Sequence, residues 1–242
     1  MQIIQSKLLN SSPKLISGFS TKKEGNIAFH VNDNEPKVIN SHTLLAKQLH
    51  YEISSLVHMK QIHSNIVHKV TDSDNFENPP TCDALITDKK SIPLMVMVAD
   101  CSPILFFDPI QEVIAVAHVG RAGAFNNIVK NVVDNFVNSY NSKAQDIKVS
   151  IGANIKKCCY EVGEEIYKEA KELGLEYSIY KRGDSYYLDV SSIINRQLLD
   201  MNITSENIEF INECTCCSQK HFSYRRENIT GREAGLIMMK ES

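Results

Sequence analysis

The sequence predicts an α+β domain with mixed β-sheets, on three observations. Short, wholly apolar runs of strand length cluster in the middle of the chain, and amphipathic stretches with helical spacing follow them. The two kinds of segment also mix without the regular strand–helix alternation of a parallel sheet. The first apolar run is Ile92-Pro-Leu-Met-Val-Met-Val98 and the second Ile104-Leu-Phe-Phe107. Asp108-Pro-Ile-Gln111 supplies turn chemistry, and Val113-Ile-Ala-Val-Ala117 is the third run. Together they read as a hairpin or meander, and strands apolar on both sides belong in a sheet covered on both faces.

The helix that follows is set by Phe125, Ile128, Val129, Val132, Val133, Phe136, Val137 and Tyr140, spaced i, i+3, i+4, i+7, with Asn126, Asn127, Lys130, Asn131, Asp134 and Asn135 on the rest of its surface. Its β-branched residues lower its intrinsic propensity, so packing must hold it. Further helices are expected at 36–50, 162–173 (closed by Gly174), 190–201 and 231–240, and further strands at 148–151, 186–188 and 208–211. The turn-rich stretch Thr71–Pro80 reads as a surface loop. No repeat or linker divides the chain, so 1–242 is expected to be one domain.

Composition narrows the function. The chain has 242 residues with 26 basic and 29 acidic side chains, a net charge of −3. That balance argues against a nucleic-acid-binding surface. No charged segment followed by an apolar stretch opens the chain, and no apolar run approaches the ~20 residues that span a bilayer. A cytoplasmic protein without membrane contact is the expectation. Its seven cysteines are then reduced and available as metal ligands or nucleophiles.

Three residues sit where chemistry is easily built. His63 lies in Gln61-Ile-His-Ser-Asn65, Cys101 in Ala99-Asp-Cys-Ser-Pro103 between two apolar runs, and His118 ends the next run. A hairpin through the 108–111 turn brings Cys101 and His118 to the same end of the sheet, with strand neighbours about 5 Å apart. Two imidazoles and a thiolate leave one tetrahedral position open, the arrangement of a catalytic zinc site. The same atoms also suit a Cys101 nucleophile activated by His118, as in a cysteine hydrolase or amidase, or a core thiol beside turn histidines. Cys158-Cys159 and Cys214-Thr-Cys-Cys217 look like separate, inert thiols, since no second C-x-x-C completes a structural metal site, and His221 only imitates a ligand. His30, His42, His50, His58 and His68 read as surface or packing residues. Arg225, Arg226 and Arg232 fall within eight residues, in a loop leading into the expected last helix, where they suit an anion or simply a solvated cluster.

Gln61-Ile-His63, Cys82-Asp-Ala-Leu-Ile-Thr87, Ala99-Asp-Cys101 with Pro103, Ala117-His-Val-Gly120, Ile151-Gly152, Cys158-Cys-Tyr-Glu-Val-Gly163, Cys214-Thr-x-Cys217 and Phe222-Ser-Tyr-Arg-Arg226 occur in that order. As a set, covering about 60–235, they resemble the YfiH-type family, purine nucleoside phosphorylases formerly called laccase-domain or multicopper polyphenol oxidase proteins. The resemblance implies β-sheets packed between helices in α/β/β/α layers within one domain. It implies one zinc ion held by His63, Cys101 and His118, with copper fitting less well because a multicopper centre needs more ligands and the chain has no His-x-His pair. It implies phosphorolysis of adenosine, inosine, guanosine and methylthioadenosine, and hydrolytic deamination of adenosine, in a monomer or small homo-oligomer. Asp83 and Asp100 are the matching candidates to carry protons. Gln61, Arg121, Arg225 and Arg226 are candidates to hold nucleoside and phosphate. The family's usual His-x-Gly-Trp-Arg-Gly reads His118-Val-Gly-Arg-Ala-Gly123 here, which puts Arg121 one position before the family's arginine and leaves Ala122 in its place.

Overall fold

A buried apolar run must find hydrogen-bond partners for its backbone, and a ladder with neighbouring strands supplies them. The computed structural model describes residues 3–31 and 33–241. Its first half contains β1 (Leu15–Phe19), α1 (Glu35–Leu49), β2 (Val67–Lys69), β3 (Ala84–Thr87), β4 (Leu94–Val98), β5 (Ser102–Asp108) and β6 (Val113–Val119). Then come α2 (Arg121–Phe125), α3 (Ile128–Tyr140), β7 (Lys148–Ile151), β8 (Glu161–Val162), α4 (Glu164–Glu172), β9 (Ile179–Arg182) and β10 (Ser185–Leu188). The chain ends with α5 (Val190–Asp200), β11 (Ile208–Phe210), α6 (Tyr224–Glu227) and β12 (Glu233–Met239).

Six strands form a mixed sheet in the order β11-β7-β5-β6-β3-β2, with β2–β3 and β7–β11 parallel and the other pairs antiparallel. Strands β1-β12-β4 form an antiparallel sheet, and β8-β10-β9 a small third one. Side-chain alternation divides each buried strand between two cores. Ile104 and Phe106 of β5, with Ala115 and Ala117 of β6, pack under α3 and α5. Leu105 and Phe107, with Ile114 and Val116, face Val96, Val98 and Ile237 of the second sheet. The far side of that sheet, through Met95, Met97, Leu236 and Met238, receives Leu45 and Ala46 of α1. The order of layers is therefore helices, sheet, sheet, helix. The double covering explains why the central runs carry no polar alternation.

The hairpin through 108–111 forms as expected: Asp108 pairs with Val113, and the Asp108 carboxylate accepts the N–H groups of Ile110 at 2.8 Å and Gln111 at 3.1 Å. Three expectations need correction. The 92–98 run is not part of that meander, because β4 lies in the second sheet and the chain crosses between sheets at Ala99–Cys101. Asp100, at φ 85, breaks the strand direction there. The predicted helix at 231–240 is the strand β12, hydrogen-bonded on both sides to β1 and β4. Its seven residues are buried on both faces, and so short an apolar run carries no periodicity to separate strand from helix. The helix at 125–140 is divided at Asn127, which has φ 59, into α2 and α3. Among the described residues no helix is long and apolar enough to cross a membrane.

Candidate metal centre and its pocket

The crossing between sheets and the end of the β5–β6 hairpin build the site. Ser102 pairs with Val119, which sets Cys101 beside Gly120, while His118 pairs with Pro103 one step inside the ladder. His63 arrives from a separate turn. The buried Asp83 carboxylate accepts the successive N–H groups of Ile62 at 3.2 Å, His63 at 3.0 Å and Ser64 at 2.6 Å, and the Ser64 hydroxyl at 2.7 Å. Turning three amides toward one carboxylate puts His63 in the left-handed region, at φ 60. Asp83 Oδ1 also accepts Nδ1–H of His118 at 2.9 Å, which leaves Nε2 of that ring as the ligand atom. The ligand atoms of His63, Cys101 and His118 lie within 4.8 Å of one another, and the two imidazoles meet edge to face.

Gly120 makes this convergence possible. A Cβ there would stand 2.9 Å from the Cys101 sulfur and 3.4 Å from Cδ2 of His63. The sequence holds this signal in the glycine two residues after His118, which spacing alone leaves unexplained.

Charges at the site reinforce one another. Burial works against ionising Cys101, yet the charge and hydrogen bond of His118, with His63 beside it, bring the thiol well below its ordinary value. Burial also opposes the His118 cation, but the Cys101 and Asp83 charges outweigh it and raise the imidazole. Burial would raise the Asp83 carboxyl, and the bonds from His118 and Ser64 bring it down to about 2 instead. Asp83, His118 and Cys101 thus form a chain of alternating sign when no metal is bound, and a metal cation at the sulfur and the two imidazoles would take the place of the proton on Nε2 of His118.

The triad opens into a pocket of about 910 Å³, within the usual range for a small-molecule site. Asp100, Gln61, Arg121, Arg225 and Arg232 line it. Asp100 accepts the Thr215 hydroxyl at 2.6 Å and the Arg225 N–H at 2.7 Å, tying three segments together. Gln61 exchanges two bonds with the backbone of Met97, at 2.8 and 2.9 Å. Arg121 pairs with Glu169 at 2.7 Å. Arg225 lies over the Tyr160 ring and donates to the carbonyl of Glu161 at 2.9 Å. His30 and His58, expected as surface or packing residues, also line the pocket, along with Phe29, Tyr160 and Tyr224.

Two candidates fall elsewhere. Asp83 lies behind His118, wholly buried, and does not line the pocket. Arg226 is also absent from the lining: Nη1 donates to the carbonyls of Thr215, Cys216 and Ser218 at 2.8–3.0 Å, and Nη2 to that of His221 at 2.6 Å. The neighbouring arginine positions are divided between pocket and scaffold. The expectation that these thiols lie apart is overturned too, because Cys158, Cys159, Cys214 and Cys217 bring their sulfurs within 4.8 Å of one another. His221 stays apart, bonded to Glu233 at 2.8 Å.

The model of the family described as multi-copper polyphenol oxidoreductase laccase matches residues 16–240. A protein of Clostridium acetobutylicum named purine nucleoside phosphorylase is 35% identical, over 90% of this chain and 88% of its own. Bacillus subtilis YlmD, under the same name, is 28% identical over 96% of this chain and 91% of its own. Among solved structures, Bacillus licheniformis YfiH superposes with a TM-score of 0.89 at 29% identity, over 93% of each chain. YlmD from Geobacillus stearothermophilus gives 0.88 at 27% identity, over 95% of this chain and 93% of its own.

Proposed function

This chain belongs to the multi-copper polyphenol oxidoreductase laccase family, and on that footing we propose that it is a zinc-dependent enzyme of purine nucleosides, splitting them with phosphate and deaminating adenosine with water. The observation that carries the reading is the His63–Cys101–His118 cluster opening into a pocket that also presents three arginines. Relatives named purine nucleoside phosphorylase support the substrate pair of nucleoside and phosphate.

The donor set fits zinc: two imidazoles and a thiolate, with the second nitrogen of His118 fixed by a carboxylate. Bound there, zinc supplies Lewis acidity and lowers the pKa of a water in its open position toward about 7. The same donors also suit one copper ion. A multicopper oxidase needs several coppers, however, and the other metal-type cluster among the described residues is entirely thiol.

In the phosphate reaction, an oxygen of the anion bonds to the anomeric carbon, the carbon–nitrogen bond to the purine breaks, and the base departs with that electron pair. Arg225, with Arg121 and Arg232 lining the same pocket, holds the anion. In the deamination, water adds to the purine ring and ammonia leaves. Asp100 is the proton carrier, since it lines the pocket whereas Asp83 serves as the orienting partner of His118.

The test is direct. Purified protein given adenosine forms inosine with or without phosphate; phosphate adds free purine and ribose 1-phosphate; chelation abolishes the deamination. Oxidation of a phenol by copper-loaded protein, or metal-independent cleavage of an amide through Cys101, with no nucleoside turned over, overturns the assignment.

A further inference from the structure

Just before Tyr160, which lines the pocket, the chain makes a second convergence. Cys158 and Cys159 sit in the turn between β7 and β8, and Cys214 and Cys217 in the turn after β11. An isolated bridge between Asn154 and Cys214 holds the two turns side by side. The Cys217 sulfur stands 3.6 Å from that of Cys158 and 3.3 Å from that of Cys159, and all four sulfurs lie within 4.8 Å of one another. Four sulfurs around one zinc at about 2.3 Å stand about 3.8 Å apart, which falls within the spread of these four mutually close sulfurs.

The backbone supports the same interpretation. The Cys214 sulfur accepts the N–H of Lys156 at 3.4 Å, and the N–H groups of Cys216 and Cys217 also point to it. Amides folded back onto the first sulfur of a C-x-x-C turn favour a thiolate there. The Lys156 ammonium, fixed on the Ser191 hydroxyl at 3.0 Å, adds a positive charge close to Cys214 and Cys158. Cys158 and Cys217 are exposed, which gives a metal ion a way in.

We propose that Cys158, Cys159, Cys214 and Cys217 form a second metal site, a closed tetrathiolate that binds one zinc ion and staples the two turns. Zinc forms four bonds to sulfur there, and the thiols still protonated release their protons to solvent. With every position filled by protein, the site is structural. What it staples is one wall of the pocket. Tyr160 follows Cys159 directly, the Cys159 carbonyl accepts from Arg225, and Thr215, inside the C-x-x-C turn, donates to Asp100. The assignment stands independently of the nucleoside chemistry.

Metal binding is the readout. The full chain, stripped of metal and kept reduced, is titrated with Co²⁺ alone and followed by thiolate-to-cobalt absorption; zinc is counted separately by elemental analysis of protein grown in zinc. Wild type is expected to take two equivalents. His118→Ala is expected to keep one, with a sulfur-rich spectrum, while Cys217→Ser and Cys158→Ser each lose that spectrum and keep the equivalent at the histidines. A wild type that shows no sulfur-rich spectrum, whatever it binds at the histidines, overturns the proposal, as does a sulfur-rich spectrum that survives in both cysteine variants. A reduced chain that binds its ion only at the histidines, with an oxidised chain 2 Da lighter carrying a Cys159–Cys217 bond, also overturns it and makes the cluster a redox pair.

Discussion

Replacing Asp83 by Asn tests the architecture of the His63–Cys101–His118 cluster at its most connected point. The carboxylate accepts five hydrogen bonds through two oxygens: His63 N–H and His118 Nδ1–H on Oδ1, and Ile62 N–H with the Ser64 amide and hydroxyl on Oδ2. An amide matches neither arrangement. With its NH₂ toward Ile62 and Ser64, two backbone donors lose their acceptor. With its NH₂ toward His63 and His118, one backbone donor is stranded and the imidazole must accept at Nδ1, which places a proton on the nitrogen meant for the metal. Holding the Asp83 carboxyl at about 2 against a usual 3.8 is worth about 2 kcal/mol. That contribution is present above about pH 4 and is lost as pH falls through about 2, because the native state binds the proton more weakly than the unfolded chain. Stranding buried donors adds about 1–3 kcal/mol. The total of about 3–5 kcal/mol leaves a folded protein, with Tm lowered by about 6–20 °C.

Metal affinity is expected to fall about 10- to 100-fold, the usual cost of removing a carboxylate behind a metal-binding histidine. Differential scanning calorimetry of metal-free protein reads the first effect, and competition with a chelator the second. Ser64→Ala is the control: it removes one donor to Asp83 but leaves His118 oriented, so stability drops by about 1 kcal/mol with little change in metal affinity. An Asp83→Asn protein that binds zinc as tightly as wild type refutes the reasoning, whatever its melting temperature.

Gly120→Ala places a methyl 2.9 Å from the Cys101 sulfur at a backbone angle any residue can adopt (φ −86), so zinc content is expected to fall while Tm drops by only a few degrees; full zinc occupancy would show that the three ligands tolerate a wider spacing. Arg225→Ala is expected to slow phosphate-dependent cleavage about 10- to 100-fold and deamination far less, since only the first reaction holds an anion; parallel steady-state assays with and without phosphate decide, and equal losses make Arg225 a scaffold residue. Burial holds His42 down at about 4, with Nε2 against the Ile27 carbonyl at 2.8 Å and Nδ1 without a partner among the described residues. The unfolded chain therefore takes up this proton near pH 6.5 and the native state only near 4, so stability is complete above that range and falls by about 2 kcal/mol on going to pH 5. Urea midpoints at pH 7.5 and 5 measure it, and His42→Gln is expected to flatten the difference.

What was legible in the chain, and what was not, follows from the range of the interactions. The β5–β6 hairpin announced itself because turn chemistry at 108–111 and two apolar runs are local signals, and a hairpin's register fixes which ends meet. The same register places Cys101 and His118 at one end of the sheet. The helix α3 was readable for the same reason, through an apolar face that repeats within a few turns. By contrast, β12 is a strand only because β1 and β4, from the other end and the middle of the chain, bond to both its edges. Nothing within 233–239 states that fact, and a local reading gives a helix. The thiol cluster escaped for the same reason. Cys158–Cys159 and Cys214–Cys217 are more than fifty residues apart, and what joins them is the parallel pairing of β7 with β11, which sets the loops following the two strands side by side at one end of the sheet. Parallel neighbours bring together loops at the same strand end, whereas a C-x-x-C search compares only neighbours in sequence. The division between Arg225 and Arg226 belongs to the same class. Consecutive residues on a short helix turn point about 100° apart, so Ser223 capping α6 through the Arg226 N–H sends one guanidinium to the pocket and the other into the carbonyls of the 215–221 turn.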